Sequence, residues 1–178
     1  MDSSNKKPLL ILRDEDIFPD ADSKSVEYGD PRVAVKAILL NDKKEIALVG
    51  TQNRLLPGGG VENGESLTGA MKRECLEECG YEVEILRELG TTEEYRAQKK
   101  RMQVTHCFVA KITGGDGVPR STQEDEKNME IEWFTLDGAI QRLKGQIESL
   151  TKENYSACFN ARTHLAFVEE FKKSNSSQ

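Results

Sequence analysis

From Arg32 onward the apolar positions fall into short runs separated by polar breaks. Val33 to Leu40, reading VAVKAILL, predicts a strand; Asn41-Asp42 turns the chain and Glu45 to Val49 is its hairpin partner. Leu55-Leu56-Pro57 then leads into three glycines, Gly58 to Gly60. Glu82 to Tyr95 and Met102 to Ile112 read as two strands joined near Lys99-Lys100-Arg101. Along the second, Val104, His106 and Phe108 alternate with Thr105, Cys107 and Val109, so either face can be the buried one. A glycine-rich, acidic loop is expected over Gly114 to Glu126, a strand over Met129 to Phe134, and a short helix from Leu136. Lys152 to Lys172 spaces Tyr155, Phe159, Leu165, Ala166 and Val168 as an amphipathic helix. Strands mixed with helices predict an α/β class. We divide the chain into an appendage (1–31), one domain (32–172) and a polar tail (173–178). Within the appendage, Leu9 to Leu12 suits an edge strand, and Asp14 to Asp30 is acidic, turn-rich and expected to be irregular.

The stretch that breaks the pattern is Leu67 to Cys79. Ser66 is a good N-cap, Gly80 suits the left-handed position past the end, and no proline intervenes, so a helix is predicted. At the helical period Leu67, Ala70, Met71, Cys75 and Cys79 share one broad arc. Glu74 and Glu78 fall inside that arc and Glu77 at its edge. A solubilising helix would place these charges on the opposite face. Carboxylates crowded beside a core repel one another and lose hydration, which demands a counter-charge. Arg73 supplies one. A hard divalent cation such as magnesium, which takes oxygen ligands, supplies the rest.

Charge sharpens this reading. The net charge of −6 disfavours extended contact with a nucleic-acid backbone, and an anionic small substrate then needs a metal to bridge it to the acidic helix. The length of 178 residues suits one domain with a sizeable core. No run is long enough to span a membrane, and MDSSNKKP lacks an apolar signal core, so a cytoplasmic location is expected. Four cysteines are too few for a disulfide scaffold. Cys75 and Cys79, with His106 and Cys107, can be drawn as a zinc site, although buried thiols are the commoner reading.

The residues Gly59, Glu65, Arg73, Glu74, Cys75, Glu77, Glu78, Gly80 and Tyr81 stand at the offsets of the signature of Nudix hydrolases. The stretch Gly59 to Tyr81 resembles that family closely, and residues 30 to 145 more loosely. The resemblance implies a Nudix-type α/β/α sandwich with a mixed, curved sheet, the catalytic helix in the signature and a C-terminal helix. It implies hydrolysis of a phosphoanhydride in a nucleoside diphosphate linked to another group. Magnesium, which manganese can replace, is then held by Glu74, Glu77, Glu78 and the Gly59 carbonyl. Glu77 and Glu78 are also catalytic, and Arg73 orders the cluster with Glu65 as its partner. The family often draws a further carboxylate from the loop before the last strand; Glu126 is the candidate, with Glu124 as the fallback.

Substrate marks outside the signature are sparse. Arg96 and Ala97 stand where ADP-ribose enzymes carry a proline, the arrays of NADH and coenzyme A enzymes are absent, and Tyr95 lies too near for the dinucleoside polyphosphate mark. A nucleoside triphosphate pyrophosphohydrolase of MutT-like type is therefore the first expectation. The alternatives are an ADP-X or dinucleoside polyphosphate hydrolase, and a non-catalytic nucleotide sensor. Arg96, Lys99, Lys100 and Arg101 form a basic cluster that meets a polyphosphate tail or merely solvates a hairpin; Arg96 and Arg101 are the candidate substrate contacts. The expected partner is a nucleotide, and a homodimer is left open.

Overall fold

The computed structural model describes residues 7–120 and 129–176. In order these form β1 (Leu10–Arg13), α1 (Asp14–Ile17), β2 (Arg32–Leu40), β3 (Ile46–Gly50), α2 (Leu67–Cys79), β4 (Tyr81–Arg96), β5 (Arg101–Gly115), β6 (Glu130–Phe134), α3 (Leu136–Ser149) and α4 (Tyr155–Ser176). The strands make one mixed sheet in the order β1-β4-β5-β2-β3-β6. β1 runs parallel to β4 and β2 parallel to β5, with Val35 opposite His106; the other neighbours are antiparallel. Register shifts along β4 at Glu82/Val83, Ile85/Arg87 and Glu88/Gly90 bend its ribbon with β5.

Helices cover both faces of the sheet. Val35, Ala37 and Leu39 of β2, with Ala47 and Val49 of β3, pack under Ala70, Met71, Cys75 and Cys79 of α2. On the other face Ile38, Ile46 and Leu48 pack under Ala139 and Leu143 of α3 and Phe167 and Val168 of α4. β2 and β3 are thus buried on both faces, which is why their sequences read as nearly continuous apolar runs rather than as an alternation.

Several boundaries differ from the sequence reading. The stretch expected to be irregular opens with the single turn α1. Its Asp14 is buried and accepts hydrogen bonds from the Tyr155 hydroxyl and the Ala97 N–H, each at 2.7 Å. Those partners lie far along the chain, so the local composition carried no sign of them. α3 is 14 residues rather than a short start. α4 continues to Ser176, past the residue 173 at which a polar tail was expected.

The candidate active site

α2 begins where expected because the Ser66 Oγ accepts the Gly69 N–H at 3.0 Å. It ends at Gly80, whose φ of 67° lies in the left-handed region; an added Cβ would stand 2.2 Å from the Val118 carbonyl oxygen. Before the helix, the strand-like segment through Gly58–Gly60 lies against β2, where the Val35 N–H donates to the Gly59 carbonyl at 2.9 Å. At Gly59 an added Cβ would sit 2.5 Å from Glu74 Oε1 and would displace that carboxylate. The helix and the glycine segment therefore touch through that carboxylate.

Arg73 is the hub. Its Nε and Nη2 donate to the two oxygens of Glu65, each at 3.0 Å, and Nη2 also reaches the Gly60 carbonyl at 2.9 Å. Nη1 is shared by Glu74 at 2.9 Å and Glu77 at 3.0 Å. The expected pairing with Glu65 is thus present. These bonds, led by the one to Glu65, push the Arg73 pKa above its ordinary value, and the same pairing lowers that of Glu65. Glu74 behaves differently. Burial raises its carboxyl above the usual range even though Arg73 and Lys36 oppose the shift. Glu78 is 6% exposed, and its Oε2 accepts the Gly58 N–H at 2.7 Å.

The donor chemistry fits a hard divalent ion. Glu74, Glu77 and Glu78 offer only oxygens, and the Gly59 carbonyl has one lone pair committed to Val35. In the arrangement seen, Glu74 and Glu77 share Arg73 Nη1, and no three His, Cys, Asp or Glu side chains among the described residues are spaced to enclose an ion. The zinc reading fails on position. Cys75 and Cys79 lie under α2, while Cys107 lies on the opposite face of the sheet; His106 pairs with Glu88 at 2.8 Å. Burial pushes the Cys75 thiol up to about 12 and Cys107 higher still, as for inert core thiols.

The loop acids Glu124 and Glu126 lie outside the described residues. Met129, three positions after Glu126, lines a cavity together with Lys36, Asn53, Leu56 and Glu78. The basic cluster divides into two pairs. Lys99 and Lys100 are exposed, whereas Arg96 is 3% exposed and, like Arg101, lines a second cavity bordered by Gly58 and Gly59. The two arginines thus face a cavity, and the two lysines face solvent.

Two residues were not picked out from the sequence. Lys36 stands alone among the apolar residues of β2, and its Nζ donates to the Leu56 carbonyl at 3.2 Å and to the Gly58 carbonyl. That solitary charge inside VAVKAILL was the available signal. His164 on α4 gave none. Its Nδ1 accepts the Leu56 N–H at 2.9 Å and so pins the segment that delivers Gly58 and Gly59. Burial holds its pKa well below the ordinary value, so the native ring is neutral. An unfolded chain protonates it below about pH 6.5, so its contribution is present above that pH and lost as pH falls. We expect it to steepen the acid loss of stability by about 1.4 kcal/mol per pH unit below about 6.5. Urea denaturation at several pH values should show a shallower slope for His164→Gln. Equal slopes would mean that the native ring is protonated too.

A family model described as NUDIX domain matches residues 30–153. Among curated proteins, a putative 8-oxo-dGTP diphosphatase of Bacillus subtilis (strain 168) is 35% identical over 89 residues, 48% of this chain and 57% of that protein. Diphosphoinositol polyphosphate phosphohydrolase 3-alpha of Mus musculus is 33% identical over 94 residues, 51% of this chain and 52% of that protein. The matched region spans about half the length of these relatives. Among solved structures, a NUDIX hydrolase from Nitrosomonas europaea aligns with a TM-score of 0.61 at 20% identity, covering 82% of this chain and 90% of its own. A MutT protein from Methanosarcina mazei Go1 aligns at 0.57 and 19% identity, covering 85% and 97%.

Proposed function

The chain belongs to the NUDIX domain family, and from that premise we propose that it is a magnesium-dependent hydrolase cleaving a phosphoanhydride in a nucleoside diphosphate linked to a further group. The observation that carries this reading is the carboxylate set gathered on one arginine. Glu65, Glu74 and Glu77 all pair with Arg73, beside the buried Glu78 and against Gly59. Such a set serves no packing purpose, and like charges held together disfavour the fold unless a cation is used there.

In this proposal Glu74, Glu77, Glu78 and the Gly59 carbonyl hold magnesium, or manganese in its place. Bound there, the ion supplies positive charge against the diphosphate oxygens and makes water a better nucleophile. Arg73 fixes Glu74 and Glu77 relative to the glycine segment through its bonds to Glu65 and the Gly60 carbonyl. Water adds its oxygen to one phosphorus, the bond from that phosphorus to the bridging oxygen breaks, and the bridging oxygen leaves on the other phosphate. A carboxylate takes the proton of the water, and Glu126 is the proposed one. Nucleoside triphosphates are the first substrates in this proposal, in keeping with the name of the Bacillus subtilis relative, a putative 8-oxo-dGTP diphosphatase.

Phosphate and nucleotide release over a panel of nucleotides, with magnesium and with excess chelator, tests the reading. Turnover should vanish with chelator and return with magnesium or manganese. Full turnover in chelator would overturn it, because Arg73 alone cannot offset the charge that develops.

A further inference from the structure

The sheet face under α4 changes character along its length. Towards α3 it is apolar, but beside the glycine segment the buried residues are Thr92, Glu94 and Arg96 of β4 and Gln103 and Thr105 of β5. Burying such groups is costly unless each has a partner, so a face that only had to pack would not carry them. Together with α4, Glu94, Arg96, Gln103 and Thr105 wall a cavity of about 320 Å³, within the range of small-molecule sites, and Gly58 and Gly59 form part of the same wall. The cavity therefore adjoins the glycine segment that Glu74 and Glu78 contact.

Four cations line it, Arg32, Lys36, Arg96 and Arg101, against one carboxylate, Glu94. Arg96 already satisfies that carboxylate through Nε at 2.8 Å and Nη2 at 2.6 Å, and Thr163 and Gln103 also donate to it. Among the described residues Arg32 donates to the neutral Gln103, at 2.8 Å, and Lys36 to backbone carbonyls. Among the described residues neither of them, nor Arg101, forms an ion pair with a carboxylate. The Nε of Arg101 is buried with no hydrogen-bond partner. Burial, then Arg96 and Arg32, hold the Arg101 guanidinium below its ordinary pKa against the opposing pull of Glu94. Among the described residues the one ring lining it is the imidazole of His164, which is buried and tied to the Leu56 N–H. Phe159 is fully buried and capped by the Arg96 guanidinium 5.2 Å above its ring, so a nucleobase finds no stacking platform.

We propose that this cavity receives the group on the far side of the scissile diphosphate, that this group bears a phosphate, and that the nucleoside stays outside. The ligand chemistry is a phosphate anion, as the tail of a nucleoside triphosphate or as a phosphate ester on a small sugar or polyol. Arg101 and Arg32 take its oxygens, and Thr105, Ser156 and Asn160 are at hand for its hydroxyls. The inference rests on the phosphoanhydride reading for its meaning, but it is tested without turnover.

Calorimetric titration in excess chelator, where the carboxylate site is silent, would use ribose 5-phosphate, inorganic pyrophosphate and ribose. At least one of the two anions should bind and ribose should not. Ribose 5-phosphate binding would indicate a phosphorylated sugar, and pyrophosphate alone a polyphosphate tail. Arg101→Gln should weaken the anion by about tenfold or more, the loss of a charged hydrogen bond, and Arg101→Lys should restore part of it. Affinity should fall as salt rises. No anion binding, equal binding of ribose, or wild-type affinity in a folded Arg101→Gln protein would overturn the proposal. Binding without any magnesium-dependent turnover would instead leave the cavity standing and remove the hydrolase reading.

Discussion

Glu77→Gln and Glu78→Gln should each lower the maximal rate by on the order of a thousandfold while the protein still folds. The exchange keeps the size of the side chain and removes one negative donor from the place where the ion has to be held. The two positions should differ in what else they lose. Glu78 is 6% exposed and ties the Gly58 N–H, a bond that a glutamine oxygen can still accept. Glu77 is half-buried and shares Arg73 with Glu74, so its neutralisation leaves that guanidinium with two carboxylates instead of three. Neither change opens a cavity, and each reduces like-charge repulsion along α2, so melting temperatures in chelator should stay at or above that of the wild type. Raising the magnesium concentration should recover part of the rate if the lost interaction is with the ion. A variant as active as the wild type would mean that the carboxylates are relics of the family pattern. A variant that fails to fold would make them structural.

α2 was legible from first residue to last because every signal that defines it is local. The cap at Ser66, the glycine at 80 and the arc shared by Ala70, Met71, Glu74, Cys75 and Glu78 all lie within one stretch of chain. The hub at Arg73 was legible for the same reason, since Glu65 is only eight positions away. The cavity under α4 was not. Its bonds join Arg32 to Gln103, Glu94 to Thr163 and Leu56 to His164, separations of 71, 69 and 108 positions. Such pairings are made by the sheet order and the docking of α4, which no local period records. From Arg101 to Ala110 of β5 the residues of both faces are partly or wholly buried, so alternation alone could not choose which face carried the polar set. Arg96 and Arg101 were singled out as a basic cluster, but that they turn inward depends on the strand pairing that sets Arg96 opposite Arg101. The short helix after β1 escaped notice because Asp14 is held by Tyr155 and Ala97 rather than by its neighbours.

The largest stability effect should come from Arg96. Its guanidinium is 3% exposed and clamps the 1% exposed carboxylate of Glu94, with a further bond from Nη2 to Asn160 Oδ1 at 2.6 Å. Arg96→Met leaves that carboxylate buried with only Thr163 and Gln103 as donors, so unfolding free energy should fall by about 3 to 5 kcal/mol. For a chain of this size that is a drop of about 6 to 20 °C in melting temperature. The Glu94→Gln change alone should cost less, since the glutamine oxygen still accepts hydrogen bonds and Arg96 keeps Asn160. The combination Glu94→Gln with Arg96→Met should recover most of the loss, because the expense lies in the unpaired buried charge rather than in the missing attraction. Urea denaturation of the two single variants and the double variant measures the coupling directly. Losses that simply add would show that the two side chains are stabilised separately. The pair would then not be the closed unit that leaves Arg101 and Arg32 as the cations open to a ligand.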